Sequence, residues 1–345
     1  MKLKVAQLMV VDGMPDYQEM IQKAGLEVEL TKQMAQSEDD IISLAKDADT
    51  IIAIGSLQPF TTKVMENLPN CRFIASLGIG YDNMDIEKAS ENCIMVANVP
   101  DYCWEEVSDH IMALILACTR KIVWLNNSVK KGGWKGEPDP NMQKNIWPGM
   151  TSLKGQTLGI IGFGGVSRIL TPKAKGFGLN LITFDPYVPA EVLDEYGVKG
   201  VSDLDQLLTE SDIIAVNTNL TPETRHMIGL EQLKKMKPTA VIVNAARGPL
   251  IDPKALYTAL SEGIILMAGL DVTEPEPIAM DDPLLTLENC LVTAHAAHFS
   301  PTAFGKLLCR PAEEIVRVFK DGEWPIGLIN KDIKDAWVKK WGPLK

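Results

Sequence analysis

The sequence predicts an α/β protein made of two parallel-sheet domains, and three observations lead to this prediction. The chain has 345 residues, enough for two domains of ordinary size. Short apolar segments bounded by Gly, Pro, Asn or Asp recur along it, and most do not alternate with polar residues, as expected of strands buried on both faces. Stretches of helix length separate them, with apolar residues three and four positions apart, as in 204–208 and 256–260. Strands that alternate with helices in this way form parallel sheets.

The apolar segments fall into two groups, one for each domain. The first group runs to about Asn98 and predicts strands at 5–10, 50–54, 73–76 and 94–97. The second group predicts strands at 158–161, 181–184, 213–216, 241–243, 267–270 and 291–293. Between the groups, residues 105–129 predict one long apolar helix, and residues 302–319 predict a final helix.

Composition and charge exclude several classes of protein. Hydrophobic residues make up 46% of the chain and charged residues 23%, which is ordinary for a folded globular protein. The 34 Lys and Arg against 45 Asp and Glu leave a formal net charge of -11, which disfavours nucleic acid and anionic membranes as partners. The apolar run at 111–118 is far shorter than the ~20 residues that span a membrane. Six cysteines without paired short spacings predict neither a metal site nor disulfides, so we expect a soluble, cytoplasmic protein.

The most informative segment is 158–168, where a predicted strand leads into Gly162-x-Gly164 and then into a helix. Glycines allow the tight turn and let backbone amides approach a pyrophosphate, which the positive end of the helix stabilises. Ser167 is the third small residue of the motif. The next strand ends at Asp185, about 20 residues further on, where a carboxylate can bind the adenosine ribose. Because an acid there repels a 2′-phosphate, the segment predicts NAD rather than NADP; the alternative is a purely structural turn.

Three further segments carry candidate catalytic groups at the ends of predicted strands, where ligands bind in such folds. Arg247 follows one strand, an acidic loop at 271–277 follows another, and His295 ends a third. On the residues alone, each has a structural alternative: a surface arginine, a solvated turn and a structural histidine. For His110 and His226 the structural role is the favoured one.

Together these segments resemble the D-isomer-specific 2-hydroxyacid dehydrogenases, a family that includes D-lactate, glycerate, hydroxyisocaproate and phosphoglycerate dehydrogenases. The resemblance covers nearly the whole chain and lies in the order and spacing of the motifs at 78–85, 98–100, 158–168, 221–224, 244–248, 271–277 and His295. It implies two Rossmann/flavodoxin-like domains with an active-site cleft between them. Residues 1–100 and 299–345 would form a discontinuous substrate-binding domain, and residues 101–298 the NAD-binding domain.

The same resemblance assigns Arg247, Glu276 and His295 as the catalytic residues. Glu276 rather than Glu274 matches the family, because it directly precedes the final proline of its motif. His295 would be the acid when a 2-oxo acid is reduced and the base in the reverse direction, with Glu276 favouring its charged form and fixing its orientation. Arg247 would bind the substrate carboxylate and polarise the oxo oxygen.

The resemblance also implies two sets of binding residues and a dimer. NAD would contact Gly162, Gly164, Gly165, Val166, Asp185, Thr218, Pro222, Thr224, Ala245, Asp271 and His295. The substrate would contact Leu57, the backbone amides around Leu77, Gly78 and Ile79, and the side chains of Arg247 and His295. The long apolar helix, at 107–125, resembles the dimer-forming element of the family, so we expect a homodimer.

Substrate choice rests on the loop at 55–60, which carries no arginine where phosphate-handling relatives have them. We therefore expect a small, non-phosphorylated 2-hydroxy or 2-oxo acid, in a pocket formed by Leu57, Phe60, Tyr81 and Tyr102. The alternatives are phosphoglycerate dehydrogenase, formate dehydrogenase, which pairs its histidine with glutamine, and an NADH-sensing corepressor of the same fold.

Three residues depart from the pattern of the family. His298 would either contact the substrate or replace a hinge glycine. Thr273 stands where a bulky aromatic residue is common. Pro172 lies in the helix after the glycine motif and should kink that helix or shift its ends.

Overall fold

The structure, a computed structural model, describes residues 2–11, 13–134 and 149–344. The chain divides into two compact units. Unit 1 comprises Met1–Tyr102 and Ser300–Lys345, and unit 2 comprises Cys103–Phe299. Among the described residues, each unit contains one β-sheet whose paired strands are all parallel, with helices among the strands. The predicted fold class, two parallel-sheet α/β domains, is confirmed.

Within the described residues, unit 1 has a five-stranded sheet in the order β2-β1-β3-β4-β5, and unit 2 a seven-stranded sheet in the order β12-β11-β10-β9-β6-β7-β8. The strands of unit 1 are β1 (Leu3–Gln7), β2 (Val28–Lys32), β3 (Thr50–Ala53), β4 (Phe73–Ser76) and β5 (Met95–Ala97). Those of unit 2 are β6 (Thr157–Ile161), β7 (Asn180–Phe184), β8 (Lys199–Gly200), β9 (Ile213–Val216), β10 (Val241–Asn244), β11 (Met267–Leu270) and β12 (Cys290–Val292).

Helices connect the strands in both units. Unit 1 contains α1 (Tyr17–Lys23), α2 (Glu38–Ala45), α3 (Thr62–Glu66), α4 (Ile86–Glu91), α12 (Pro301–Val316) and α13 (Lys334–Trp341). Unit 2 contains α5 (Trp104–Thr119), α6 (Ile122–Lys130), α7 (Gly165–Gly176), α8 (Ala190–Tyr196), α9 (Leu204–Glu210), α10 (Leu230–Lys235) and α11 (Pro253–Ser261). None of the helices in the described part of the chain has the length and apolarity needed to cross a membrane.

Several helix starts are encoded by single side chains. Asp16 accepts a hydrogen bond from the Glu19 amide at the start of α1. Ser37 and Asp40 form a reciprocal capping box at the start of α2, in which each side chain accepts from the backbone amide of the other. Such caps satisfy amides that have no partner inside the helix, and each contributes about 1 kcal/mol.

The core explains why the strand segments do not alternate. Neighbouring residues of β9 pack on opposite faces of the sheet: Ile213 and Ala215 join one apolar cluster, and Ile214 and Val216 join the other. Helices cover both faces, so successive side chains are all apolar even though they point in opposite directions. Each fully buried Ile or Val side chain of this kind contributes roughly 1.5–3 kcal/mol.

The prediction missed two strands, β2 and β8, and both lie at sheet edges. The residues of β2 are largely exposed after Val28, and both residues of β8 are exposed. Because the predictions relied on buried apolar runs, edge strands with polar, solvated side chains gave no signal.

The prediction of one long helix at 105–129 is wrong in one respect, because the structure has two helices in this segment. Lys121 adopts a left-handed backbone conformation, with φ 50°, and separates α5 from α6. α7 contains Pro172 and continues through it to Gly176. The helix loses one backbone hydrogen bond there without ending.

Candidate functional site

The glycine turn of unit 2 joins β6 to α7. Gly162 has φ +89°, and a Cβ placed on it would lie 2.8 Å from the carbonyl oxygen of Asn217, so only glycine fits. Gly164 is the N-cap of α7 and provides no side-chain cap, and the space around its missing Cβ is open. The first amides of α7 therefore point into an open cradle at the positive end of a helix, which fits a dinucleotide pyrophosphate.

Two neighbours of this turn have structural roles that the sequence did not reveal. A Cβ on Gly165 would lie 2.2 Å from the Trp104 ring, so this glycine allows α7 to pack closely on α5. Ser167 is buried, donates to the Gly162 carbonyl at 2.7 Å and accepts from the Asn217 amide side chain at 3.1 Å. The serine thus stabilises the turn from inside.

Asp185 follows β7 and connects this strand to the glycine turn. One of its carboxylate oxygens accepts from the Phe163 amide at 2.8 Å, and the other accepts from the Tyr187 amide at 2.9 Å. A carboxylate has about four acceptor positions, so both oxygens can also accept from ribose hydroxyls. Its place beside the turn fits the predicted ribose contact.

The other predicted cofactor residues follow strands of the same parallel sheet. Thr218 lies after β9 beside Gly162, and Ala245 follows β10. Pro222 and Thr224 belong to a turn that the Thr224 hydroxyl closes, by accepting from the Thr221 amide at 2.7 Å. Val166, in the first turn of α7, packs partly against the core. Carboxyl ends of parallel strands share one edge of a sheet, so these residues lie along one edge.

His295 and Glu276 form the candidate catalytic pair. The ring nitrogen Nδ1 of His295 is hydrogen-bonded to a carboxylate oxygen of Glu276, and both side chains are about 40% exposed, at 42% and 40%. Glu274 has other partners, Arg225 and His226, with Nε2 of His226 at 2.6 Å. The two glutamates of one loop thus have separate roles, and only Glu276 contacts His295.

The backbone at His295 is left-handed, with φ 49°. Such a conformation costs a non-glycine residue about 1–2 kcal/mol. Asp271 stabilises it twice: its carbonyl accepts from the His295 amide at 2.8 Å, and its carboxylate accepts from the amides of Ala296 and Ala297 at 3.0 and 2.9 Å. The turn that presents the imidazole is therefore built on Asp271.

The carboxylate of Asp271 is fully buried yet charged. Burial alone would raise its pKa, but hydrogen bonds from His110, Thr293 and the two backbone amides outweigh burial and hold the pKa well below its usual range. The hydroxyl of Thr293 donates to it at 2.6 Å, and Nε2 of His110 lies 3.3 Å from the same oxygen.

His298 packs edge-on against His295, with ring centroids 5.6 Å apart and planes at 90°. Burial, followed by the neighbouring His295, lowers the pKa of His298, and Asp271 offsets part of this shift. The φ of His298 is outside the left-handed region, so its backbone does not need a glycine. The sequence left two roles open for this residue, and what the structure shows is its contact with His295, the candidate catalytic histidine.

Arg247 follows β10 in a loop fixed by its neighbours. The side chain of Asn244 donates to the Arg247 carbonyl at 2.8 Å, and the guanidinium donates to the Ala246 carbonyl at 2.7 Å. A Cβ on Gly248 would lie 1.9 Å from the Thr273 carbonyl oxygen, so the arginine loop packs directly on the loop that carries Glu276. Arg247 is half-buried.

Unit 1 contains the predicted carboxylate-binding turn after β4. Gly78 has φ +88°, its carbonyl accepts from the Val99 amide at 2.9 Å, and the Asn98 side chain donates to the Ile79 carbonyl at 2.7 Å. The prediction for the Leu77 amide is wrong, because that amide donates to the Ala53 carbonyl at 2.8 Å. Gly78 and Ile79 are the predicted amides that remain.

The predicted substrate pocket also needs correction. Leu57 is 72% exposed, but Phe60 is completely buried in the core of unit 1 and cannot contact a substrate. Tyr102 is buried, and Tyr81 packs partly against the same core. The loop with Leu57 is anchored by Gln58.

Gln58 was not singled out from the sequence. Its buried side chain accepts from the Ile54 amide and donates to the carbonyls of Leu8 and Ala35, each at 2.8 Å. It therefore ties together the loops that follow β1, β2 and β3.

Comparison with known proteins identifies the family. The family model described as the NAD binding domain of D-isomer specific 2-hydroxyacid dehydrogenases matches residues 112–297, more than half of the chain and all within unit 2. The chain belongs to this family.

Individual relatives are consistent with this family. A glyoxylate reductase of Korarchaeum cryptofilum is 39% identical over 308 residues, which cover 89% of this chain and 90% of that protein. A D-3-phosphoglycerate dehydrogenase of Methanocaldococcus jannaschii is 40% identical over 309 residues, 90% of this chain but 56% of that protein. The solved structure of a D-lactate dehydrogenase of Aquifex aeolicus, complexed with NAD and lactic acid, has a TM-score of 0.77 and 26% identity and covers 91% of this chain and 94% of its own.

Membership in the D-isomer specific 2-hydroxyacid dehydrogenase family confirms the resemblance inferred from the motifs. It also confirms the predicted enzyme class, an oxidoreductase with NAD as its cofactor.

Proposed function

We propose that the protein transfers a hydride between NAD(H) and C2 of a small, non-phosphorylated D-2-hydroxy or 2-oxo acid. The observation that carries this proposal is the contact between Nδ1 of His295 and the carboxylate of Glu276, beside Asp271. An acid must protonate the oxygen at C2 as the hydride arrives, and the imidazole is the side chain suited to this task near neutral pH.

The proton path follows from the geometry of the ring. Because Nδ1 of His295 is engaged with Glu276, Nε2 is the nitrogen that gives the proton to the alkoxide and takes it back in oxidation. Glu276 keeps the ring oriented, and the Asp271 turn fixes its backbone. When bound, NADH supplies the hydride.

Arg247 is assigned to the substrate carboxylate. Its guanidinium is always charged and presents a planar fork that matches two carboxylate oxygens. In unit 1, we assign the amides of Gly78 and Ile79 to the substrate carboxylate, since the neighbouring contacts from Val99 and Asn98 use the carbonyls and leave those amides for a ligand.

NAD is assigned to unit 2, with the pyrophosphate at the start of α7 and the ribose at Asp185. The open space at Gly164 and the uncapped helix support the first assignment. The carboxylate of Asp185 supports NAD over NADP, because it would repel a 2′-phosphate.

Phosphoglycerate dehydrogenase is the second candidate, since one relative with that name is 40% identical. The absence of arginine from loop 55–60 and the exposed Leu57 favour a substrate without phosphate. The test is a panel of glyoxylate, pyruvate, hydroxypyruvate and 3-phosphohydroxypyruvate, each followed by loss of NADH absorbance. We expect turnover of the small unphosphorylated acids. Activity confined to 3-phosphohydroxypyruvate would support the second candidate, and NADH binding without any turnover would support the sensor alternative.

We also propose a cytoplasmic homodimer. All six cysteines are thiols outside disulfides, as suits a reducing compartment. Within the predicted dimer element at 107–125, Ile111, Leu114 and Ile115 are buried inside unit 2, so these three side chains are not available to a dimer surface. Ile122 and Val129 of α6 are exposed and offer apolar area instead. Sedimentation of the purified protein as a monomer would contradict the dimer.

A further inference from the structure

We propose that His110 is a positioning residue for the reaction, acting through Thr293 and Asp271 on the turn that presents His295. This inference rests on the proposed role of His295 as the proton donor. His110 lies in α5, far in sequence from the catalytic loops, and its ring nitrogen Nε2 is 3.0 Å from Oγ1 of Thr293 and 3.3 Å from Oδ1 of Asp271. It is thus the start of a chain of contacts rather than an isolated helix histidine.

The direction of each hydrogen bond follows from the donors available. A carboxylate only accepts, so the single hydroxyl proton of Thr293 points to Asp271, 2.6 Å away. Oγ1 of Thr293 can then only accept from His110, which assigns the proton to Nε2 of His110. The imidazole serves as a donor in its neutral form, and no positive charge is needed.

The chain continues from Asp271 into the active-site backbone. Oδ1 of Asp271 accepts from Thr293 and from the Ala296 amide, with Nε2 of His110 3.3 Å away, and Oδ2 accepts from the Ala297 amide. These two amides directly follow His295, whose left-handed conformation is unfavourable by itself. If His110 no longer donates, the carboxylate can rotate towards other donors and the turn relaxes. An error of about 1 Å in a catalytic group can slow a reaction by about a hundredfold.

A matched pair of variants tests this role. His110→Phe keeps a ring of similar size but has no donor, whereas His110→Gln offers an amide N–H at a comparable reach. We expect His110→Phe to lower kcat about tenfold, with the Kd for NADH within about twofold of the wild type, and His110→Gln to recover most of kcat. A residue that only stabilises the fold would not separate kcat from NADH binding, nor be rescued by an amide.

Thr293→Val provides a second, independent test, because it removes the relaying hydroxyl with little change in shape. We expect the same loss of kcat as for His110→Phe. The double variant should be no slower than either single variant, since each variant interrupts the same chain of hydrogen bonds from His110 to Asp271. The wild type is assayed first with the panel of 2-oxo acids. If the wild type turns over a 2-oxo acid and His110→Phe is fully active, or the double variant shows additive losses, the role of His110 is overturned while the proposed function stands. A wild type that binds NADH but reduces no 2-oxo acid would instead overturn the proposed function.

Discussion

Asp271 and His295 are joined through the backbone and through the side chain: the Asp271 carbonyl accepts from the His295 amide at 2.8 Å, and its carboxylate binds the next two amides. The imidazole of His295, the proposed proton donor, is thus presented by a turn whose left-handed conformation is unfavourable for a non-glycine residue. Backbone strain of this kind persists where the surroundings fix it, and functional sites are where it is commonly found.

The two glutamates of the acidic loop should behave differently. Glu276→Gln removes the carboxylate that orients His295 and should lower kcat at least tenfold. Glu274→Gln is the matched control, because Glu274 contacts Arg225 and His226 and not His295. We expect it to lower Tm while kcat stays near the wild-type value. Equal losses of kcat in both variants would remove the distinction between the two carboxylates.

The guanidinium of Arg247 should resist conservative replacement. Arg247→Lys retains the charge but loses the two-point geometry, so kcat/KM should fall by about a hundredfold or more. The control is Arg225→Lys, at a side chain that is 51% exposed and contacts Glu274. Steady-state kinetics of both variants compares them directly. If Arg247→Lys were as active as Arg225→Lys, the carboxylate assignment would be wrong.

Two substitutions in the glycine turn should affect different properties, one the stability of the protein and the other its affinity for NADH. Gly162→Ala forces a Cβ to within 2.8 Å of a backbone oxygen at a positive φ, so it should destabilise the protein by about 1–3 kcal/mol and lower Tm. Gly164→Ala has open space for its methyl group and should leave Tm unchanged. Its methyl group fills the proposed pyrophosphate cradle, so NADH binding should weaken. Unchanged NADH affinity in Gly164→Ala would contradict the assignment of the pyrophosphate to this turn.

His298 should make stability depend on pH. Burial and the adjacent His295 lower the pKa of His298 from its usual 6.5, so the unfolded chain takes up a proton there at higher pH than the folded protein. The contribution of the neutral His298 ring to the free energy of unfolding is therefore fully present above the unfolded pKa. It is lost as pH falls through the folded pKa. We expect the Tm difference between wild type and His298→Gln to shift against the wild type between about pH 7.5 and about pH 5.5. A Tm difference that is constant across this range would contradict the lowered pKa of the half-buried His298 ring.

The sequence predicted the buried part of the fold well, because burial on both faces leaves an apolar run. Strands such as β9 and β11 match their predicted bounds, 213–216 and 267–270. The exposed edge strands β2 and β8 left no such run. The break at Lys121 was equally invisible, since lysine is no more suited than its neighbours to a left-handed conformation.

The candidate site, like the fold, has contacts that the sequence predicted and contacts that it did not. Glu276 and His295 were predicted to meet, and they do, because both belong to local motifs at strand ends. The contacts of Gln58 and His110 were not predicted because their partners are distant in sequence: Gln58 reaches back 50 residues to Leu8, and His110 reaches forward 183 residues to Thr293. Only the folded chain brings such pairs together.

The most direct test of the account is turnover by His295→Ala, measured beside its affinity for NADH. Without the imidazole no group protonates the oxygen at C2, so kcat for reduction of a 2-oxo acid should fall by about a hundredfold or more, while the Kd for NADH stays within about twofold. A variant that binds NADH normally and keeps the wild-type kcat would contradict the central claim.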